Sequence, residues 1–268
     1  AVNLVCVGTG NWLEFEEGDR RSMRLPEVQE RLILETAEEN ANTIVVLFAG
    51  AAVDMSRWVD RVAAVVYAGF PGMGGDAVLA DLLTGARNFS GKTSETFPYE
   101  LTDVPAAEGF VSAGVTRYQE GLDVGYRYFT SHDMPVLFPF GYGLSYAMFD
   151  YSDLALQPME TGVRVSFCIE NISERDGAEA AQVYVHECAP LVYRPTRELK
   201  DFVKPVVRAG EKTIVVLTLP MRAFAHWSTS QDKWVVTDGV YKIMVGASSE
   251  DIRLSAKIKI EDGKICAL

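Results

Sequence analysis

The apolar residues of this chain follow two different rhythms, and the switch between them near residue 151 limits the folds open to it. In the first hundred residues they come as unbroken runs: Val2 to Val7 in "AVNLVCVG", then "TIVVLFAG" (43–50) and "VAAVVYAG" (62–69). Successive strand side chains point to opposite faces, so an unbroken run implies a strand covered on both, as in a parallel sheet flanked by helices. Helical signals lie between the runs. Pro26 opens "PEVQERLILETAEEN": proline suits a first turn, Glu27 suits the positive end of the dipole, and Val28, Leu32, Ile33 and Ala37 form an apolar stripe. Asn40 and Asn42 mark the exit. "FPGMGG" leads into a second predicted helix, Asp76 to Leu83, closed at Gly85. In such an arrangement the loops at the carboxyl ends of the strands are the usual ligand sites.

Beyond residue 151 the rhythm becomes strict alternation. "VRVSFCIEN" sets Val163, Val165, Phe167 and Ile169 on one face and Arg164, Ser166, Cys168 and Glu170 on the other, the period of a half-buried antiparallel strand. "AAQVYVHE", "TIVVLTL", "GVYKIMVGAS" and "IRLSAKIKI" repeat it, with turn signals "ERDG", "RAGE" and "TDG" between. Several short strands in this order predict an immunoglobulin-like or fibronectin-like sandwich. Residues 86–150 are rich in Gly, Pro and aromatics. The expected organisation is an α/β domain over 1–100, a wrapping connector over 101–150 and a β-sandwich over 151–268, consistent with a length of 268 residues.

Composition excludes several functions. A net charge of -12, with 25 scattered Lys and Arg, disfavours nucleic acid, and no apolar run approaches the ~20 residues that span a bilayer. Cys6, Cys168, Cys188 and Cys266 lack metal-type spacing and read as reduced thiols, Cys6 and Cys168 as small hydrophobes within strands. His132, His186 and His226 are widely separated and read as local structural residues. No metal site and no cofactor are expected. "GMGG" lacks a Walker lysine and a dinucleotide spacing, so it reads as a tight turn, and no nucleophile elbow is present. The chain opens directly on a strand without a secretory n-region, which processing or a cut inside a longer protein would explain. A cytoplasmic location is expected, with secretion left open.

One run stands out for its charge. "NWLEFEEGDRR" (11–21) packs Glu14, Glu16, Glu17, Asp19, Arg20 and Arg21 into a loop after the first predicted strand. A carboxyl among like charges has its ionised form disfavoured, which suits a general acid, while Arg20 and Arg21 oppose the effect. On composition alone a hydrated, self-neutralised loop is the simpler reading. Trp12 and Phe15 offer flat aromatic faces to a ligand or anchor the loop on the sheet. Trp58, Phe70 and Tyr67 read as core or interface residues.

Several segments together resemble the carboxyl-terminal half of family 3 glycoside hydrolases, the β-glucosidase and β-xylosidase family. They include "FEEGDRRSMRLPEVQERLI", "ANTIVVLFAGAAVDMSRWVDRVAAVVYAGFPGMGGDAVLADLLTGARNFSGKTSETFP", "EGLDVGYRYF", "LFPFGYGLSYAMFDYSDL" and "RELKDFVKPVVRAGEKTIVVLTL", in the family's order. The resemblance implies a partial flavodoxin-like α/β sandwich domain followed by a fibronectin type III-like domain. It also implies a (β/α)8 barrel, in the same or another chain, to carry the nucleophilic aspartate, whose Ser-Asp-Trp type motif is not found here. The acid/base glutamate of the family lies in a Glu-x-Glu-Gly-x-Asp-Arg pattern before a Leu-Pro that opens a helix. Counting back from Leu25-Pro26 selects Glu16 and matches Asp19 and Arg20, whereas matching the Glu-Gly dipeptide selects Glu17; Glu14 is a further alternative. Trp12, Phe15 and Arg20 are then substrate-binding candidates. The resemblance implies a retaining, exo-acting β-glycosidase whose substrate is a small-molecule or oligosaccharide β-glycoside, inactive without the barrel, with an oligomer possible. The alternative is a non-catalytic module, descended from such an enzyme, that binds a glycan or a partner protein.

Overall fold

Parallel pairing organises the first part of the chain, as the unbroken apolar runs require. β1 (Asn3–Gly8) pairs with β2 (Thr43–Phe48), and β2 with β3 (Ala64–Tyr67), in the order β1-β2-β3. Helix α1 (Glu27–Glu39) makes the crossover from β1 to β2, and α2 (Gly75–Thr84) follows β3. The computed structural model describes every residue except 19, 108 and 110–114. It divides into two units, one of residues 1–87, 95–120 and 135–138 and the other of 88–94, 121–134 and 139–268.

The core of the first unit gathers Val5, Val7, Ile33, Val45, Leu47, Val53, Met55, Trp58 and Phe97. Two sequence expectations are corrected here. Val2 to Val7 is not covered on both faces: Val5 and Val7 are buried, but Val2, Leu4 and Cys6 are exposed, because β1 is an edge strand covered by α1 on one side. The stripe of α1 is also rotated. Ile33 and Ala37 are buried as expected, whereas Val28 and Leu32 are exposed and Glu30 is buried in their place. Polar contacts choose this face. The Gln29 amide donates to Gly8 O at 3.1 Å and accepts from Gly8 N at 3.0 Å, and Glu30 pairs with Arg24. Burial of Glu30 is tolerated because its charge is paired. Trp58 is fully buried, Tyr67 half-buried and Phe70 exposed, so of the three only Trp58 is a core residue of this unit.

The second unit contains a β-sandwich, and the alternating pattern accounts for it. Helix α3 (Tyr126–Ser131) precedes β4 (Phe149–Met159), β5 (Gly162–Asn171), the short β6 (Gly177–Ala178), β7 (Ala181–Glu187) and β8 (Glu198–Val203). There follow β9 (Val206–Val207), β10 (Lys212–Pro220), the hairpin β11 (His226–Ser228) and β12 (Lys233–Val235), then β13 (Gly239–Gly246), β14 (Ile252–Glu261) and β15 (Lys264–Ala267). Among the described residues one sheet runs β10-β5-β4 and the other β15-β14-β13-β7-β8. Val163, Val165, Phe167 and Ile169 all face the core, with Tyr184's neighbours Val183 and Val185 and with Ile243 and Ile258. Cys168, on the opposite face of β5, is buried too.

A guanidinium is enclosed in this unit. Arg194 Nη1 donates to Glu187 Oε2 at 2.9 Å and to the Phe224 carbonyl at 2.8 Å, while Nε and Nη2 reach Glu198 Oε1 at 3.0 and 2.8 Å. Lys200 Nζ meets the other Glu198 oxygen at 2.5 Å. Removing one partner of such a cluster strands the remaining charges. Arg194→Met is therefore expected to lower the stability of the sandwich by roughly 3–5 kcal/mol, read as an earlier urea midpoint for the amide signals of β5 and β13.

Candidate functional site

The loops at the carboxyl ends of β1 and β2 meet, and side chains from the first satisfy backbone groups of the second. After β1 the chain tightens at Gly10, whose carbonyl accepts from Leu13 N at 2.8 Å and Glu14 N at 3.0 Å. The Glu14 carboxylate then accepts from the Gly50 N–H at 3.2 Å and from the Thr9 hydroxyl. Six residues later Arg20 Nη2 donates to the Ala52 carbonyl at 2.7 Å. The segment between Glu14 and Arg20 is thus tied at both ends to the stretch Gly50 to Ala52.

Between the two ties the chain makes a turn. Phe15 and Gly18 form an isolated antiparallel bridge, with Gly18 N donating to Phe15 O at 3.3 Å. Glu16 and Glu17 are therefore the two central residues of one β-turn. Both are exposed, and among the described residues neither carboxylate has a hydrogen-bond or ion-pair partner. A Cβ at Gly18 would lie 2.3 Å from Phe15 Cζ and would displace that ring. A Cβ at Gly50 would sit 2.7 Å from both Glu14 Oε1 and Phe70 Cε2, so the Glu14 carboxylate and the exposed Phe70 ring would have to move.

The sequence candidates fall into two groups. Glu16 and Glu17 stand at the tip, flanked by Phe15, 54% exposed, and by Trp12, 67% exposed, whose indole lies against Gly10. Glu14 and Arg20 instead act inward, as ties. Asp19, matched to the family's Asp-Arg pair, lies outside the described residues. Among the described residues no group of three or more His, Cys, Asp or Glu side chains is arranged to hold a metal ion.

Two further titratable groups adjoin the ties. Burial pushes the Glu95 carboxyl up; a hydrogen bond from the Ala52 backbone and the Arg20 charge pull it down, and Glu14 adds to the rise. Burial likewise raises the Tyr67 phenol, helped by Glu95 and Glu14 and opposed by Arg20. The Tyr67 ring meets Phe97 edge-on at 5.2 Å. The sequence reading missed Glu95. The signal available was its place in "SETFP", a charge directly before three residues, Thr96, Phe97 and Pro98, that are all buried.

Comparison with known proteins follows the same outline. The Glycosyl hydrolase family 3 C-terminal domain matches residues 1–146 and the Fibronectin type III-like domain matches residues 179–249. The chain is 39% identical over 264 residues to Thermostable beta-glucosidase B of Acetivibrio thermocellus, covering 97% of this chain and 35% of that protein. It is 36% identical over 268 residues to Exo-alpha-(1->6)-L-arabinopyranosidase of Bifidobacterium breve, covering 98% of this chain and 35% of that one. Among solved structures, the GH3 beta-glucosidase of Bifidobacterium adolescentis superposes with a TM-score of 0.95 at 35% identity, over 100% of this chain and 40% of the other. The beta-glucosidase of Kluyveromyces marxianus in complex with glucose gives 0.93 at 33% identity, over 97% and 31%. The chain thus spans about a third of the length of the curated relatives it matches.

The tie at Glu14 has a measurable cost of removal. Glu14→Ala leaves the Gly50 N–H and the Thr9 hydroxyl without their acceptor, and is expected to cost about 1–3 kcal/mol. The check is urea unfolding together with faster exchange of the Gly50 amide.

Proposed function

The chain belongs to glycosyl hydrolase family 3, and from that premise we propose that it supplies the acid/base glutamate of a retaining, exo-acting β-glycosidase to a barrel outside this chain. The observation that carries this reading is the pair Glu16 and Glu17, without partners among the described residues, at the tip of a turn tied down on both sides. Of the two, Glu16 is assigned the role, because the count from Leu25-Pro26 reaches it without a gap.

In a retaining mechanism two carboxyl groups about 5 Å apart divide the work. One attacks the anomeric carbon and forms a glycosyl-enzyme ester. The other protonates the departing oxygen, then takes a proton from the water that hydrolyses the ester. Two carboxyls held this close do not ionise together, so one keeps the proton that the leaving group needs. In this reading the barrel contributes the nucleophile and Glu16 the proton. Glu14 and Arg20 hold the turn at a set height above the sheet, so that little conformational freedom remains to be lost when substrate binds. Phe15 and Trp12 offer apolar faces to the C–H face of a pyranose. The substrate is a terminal β-linked glucose or a similar sugar. The relatives named for glucosides and for an arabinopyranoside lie at comparable identity, so similarity does not single out the sugar.

The test joins this chain to a family 3 barrel, as a fusion or as a separate chain, and assays nitrophenyl and alkyl β-glucosides. Glu16→Gln is expected to lower kcat/KM on alkyl glucosides by roughly 10²–10⁴-fold, to spare activated aryl glucosides more, and to be rescued on the latter by azide. The same pattern in Glu17→Gln would reassign the role by one residue. Stable association with no activity in any combination would instead identify a non-catalytic module.

A further inference from the structure

A cleft of about 300 Å³ opens wholly within the second unit, where the stretches 90–94 and 139–142 meet the strands β7 and β8. Its walls are held in place by the fold itself. Thr93 joins the two stretches: its N–H donates to Tyr142 O and its carbonyl accepts from Gly141 N, both at 2.8 Å, while its hydroxyl donates to Pro139 O at 2.9 Å. Gln182 of β7 ties them to the sheet, its amide donating to Gly141 O at 3.1 Å and to Ala247 O at 3.0 Å. A cleft built this way loses little conformational freedom when a ligand enters.

The polar side chains of the cleft divide into those already satisfied and those left over. Lys92 donates to Gly143 O at 3.1 Å and pairs with the buried Glu179 at 3.3 Å, so its charge is matched. Thr93 and Gln182 are bonded as described. The Lys204 ammonium and the hydroxyls of Ser90 and Ser94 have no partner among the described residues. No carboxylate is among the side chains that line the cleft. In a chain of net charge -12, the cleft therefore holds one uncompensated cation beside two free hydroxyls. The rest of its wall is apolar, with Phe140, Leu199 and Phe202, and the Phe202 side chain is left 65% exposed.

We propose that this cleft is a binding site for a small organic monocarboxylate with an apolar body, the carboxylate meeting Lys204 and the serine hydroxyls and the body covering Phe202. Each part of the wall selects against another class of ligand. An inorganic anion leaves the apolar wall uncovered, and a neutral hydrocarbon leaves the ammonium unused. A sugar needs acceptors as well as donors around its rim, and the free groups here are an ammonium and two hydroxyls. The volume is at the small end for ligand pockets, which suits a single ring or a short chain. This holds whatever the turn at Glu16 does.

The test is an amide-shift titration of the full chain with 3-phenylpropionate, with 3-phenylpropanol as the neutral counterpart and inorganic phosphate as the anion without an apolar body. The acid is expected to shift the amides of Ser90 to Ser94 and Leu199 to Lys204 saturably, with a Kd of roughly 1–10 mM. The alcohol and phosphate should each bind at least about tenfold more weakly, as loss of one charge-assisted bond or of the apolar contact requires. Lys204→Met should keep the wild-type melting temperature, because the ammonium bonds nothing in the fold, yet weaken the acid about tenfold. Lys204→Arg should restore binding, and Phe202→Ala should weaken acid and alcohol alike. Equal affinity for the acid and the alcohol in the wild-type chain would overturn the proposal, as would phosphate binding as tightly as the acid. So would shifts that do not saturate or that fall outside the two stretches, and so would undiminished affinity in Lys204→Met.

Discussion

The loop that follows β2 has to satisfy its backbone polar groups without a strand or helix to do it, and the rest of the site follows from how it does so. Buried peptide groups need partners. Buried Ala52 finds one in Arg20, and Gly50, though exposed, is held by Glu14. Each of these bonds is also a constraint on the side chain that makes it. The segment after β1 is therefore fixed by polar satisfaction of its neighbour rather than by burying apolar surface of its own. That is why it can be held in place and still present Phe15, Glu16 and Glu17 to solvent. Parallel pairing is what brings the two loops to the same end of the sheet.

Two partly buried carboxyls in the chain end with shifts of opposite direction, and the difference lies in the charges around each. Burial pushes both Glu95 and Glu198 up. At Glu198 the direct contacts of Lys200 and Arg194 outweigh it and hold the carboxyl below its usual range. That group contributes stability above the ordinary carboxylate pKa and loses it as pH falls through the lowered one. Glu95 has one backbone N–H and the Arg20 charge on its side, with Glu14 against it, and burial wins. The sandwich thus holds a carboxyl against two direct cation contacts, while the α/β unit keeps one with a single cation on its side. Perturbed carboxyls of the second kind are the ones that cluster at working sites.

How much of this was legible in the sequence depended on which physical effect decided each feature. The alternation of Val163, Val165, Phe167 and Ile169 was decisive because period-2 side chains leave a strand only one way to face a core. The parallel strands and both long helices of the first unit were equally readable from unbroken runs, Pro26 and Gly85. The errors arose where several faces were almost equally apolar. Helix α1 offers Val28 and Leu32 as well as Ile33 and Ala37, and the Gln29 and Glu30 contacts select between them. Val2, Leu4 and Cys6 are as apolar as Val5 and Val7, so hydrophobicity carries no sign of which side α1 covers. Glu95 was harder to read for another reason: Arg20 and Glu14, the charges that act on it, are tens of residues away, and only the fold brings them near.

The choice between Glu16 and Glu17 has a geometric origin. Both occupy the centre of one turn, closed by the Phe15–Gly18 bridge, with the Phe15 ring lying against Gly18. Counting from the helix start and counting from the Glu-Gly dipeptide therefore arrive at adjacent members of the same tip. Consecutive Cα atoms are about 3.8 Å apart, a distance comparable to the ~5 Å separation that a retaining carboxyl pair requires. A nucleophile placed correctly for one of the two glutamates is thus misplaced for the other. In the reading proposed above only one of the two carboxylates can give the proton, and the ties at Glu14 and Arg20, which hold the turn at both ends, bear on which of them it is.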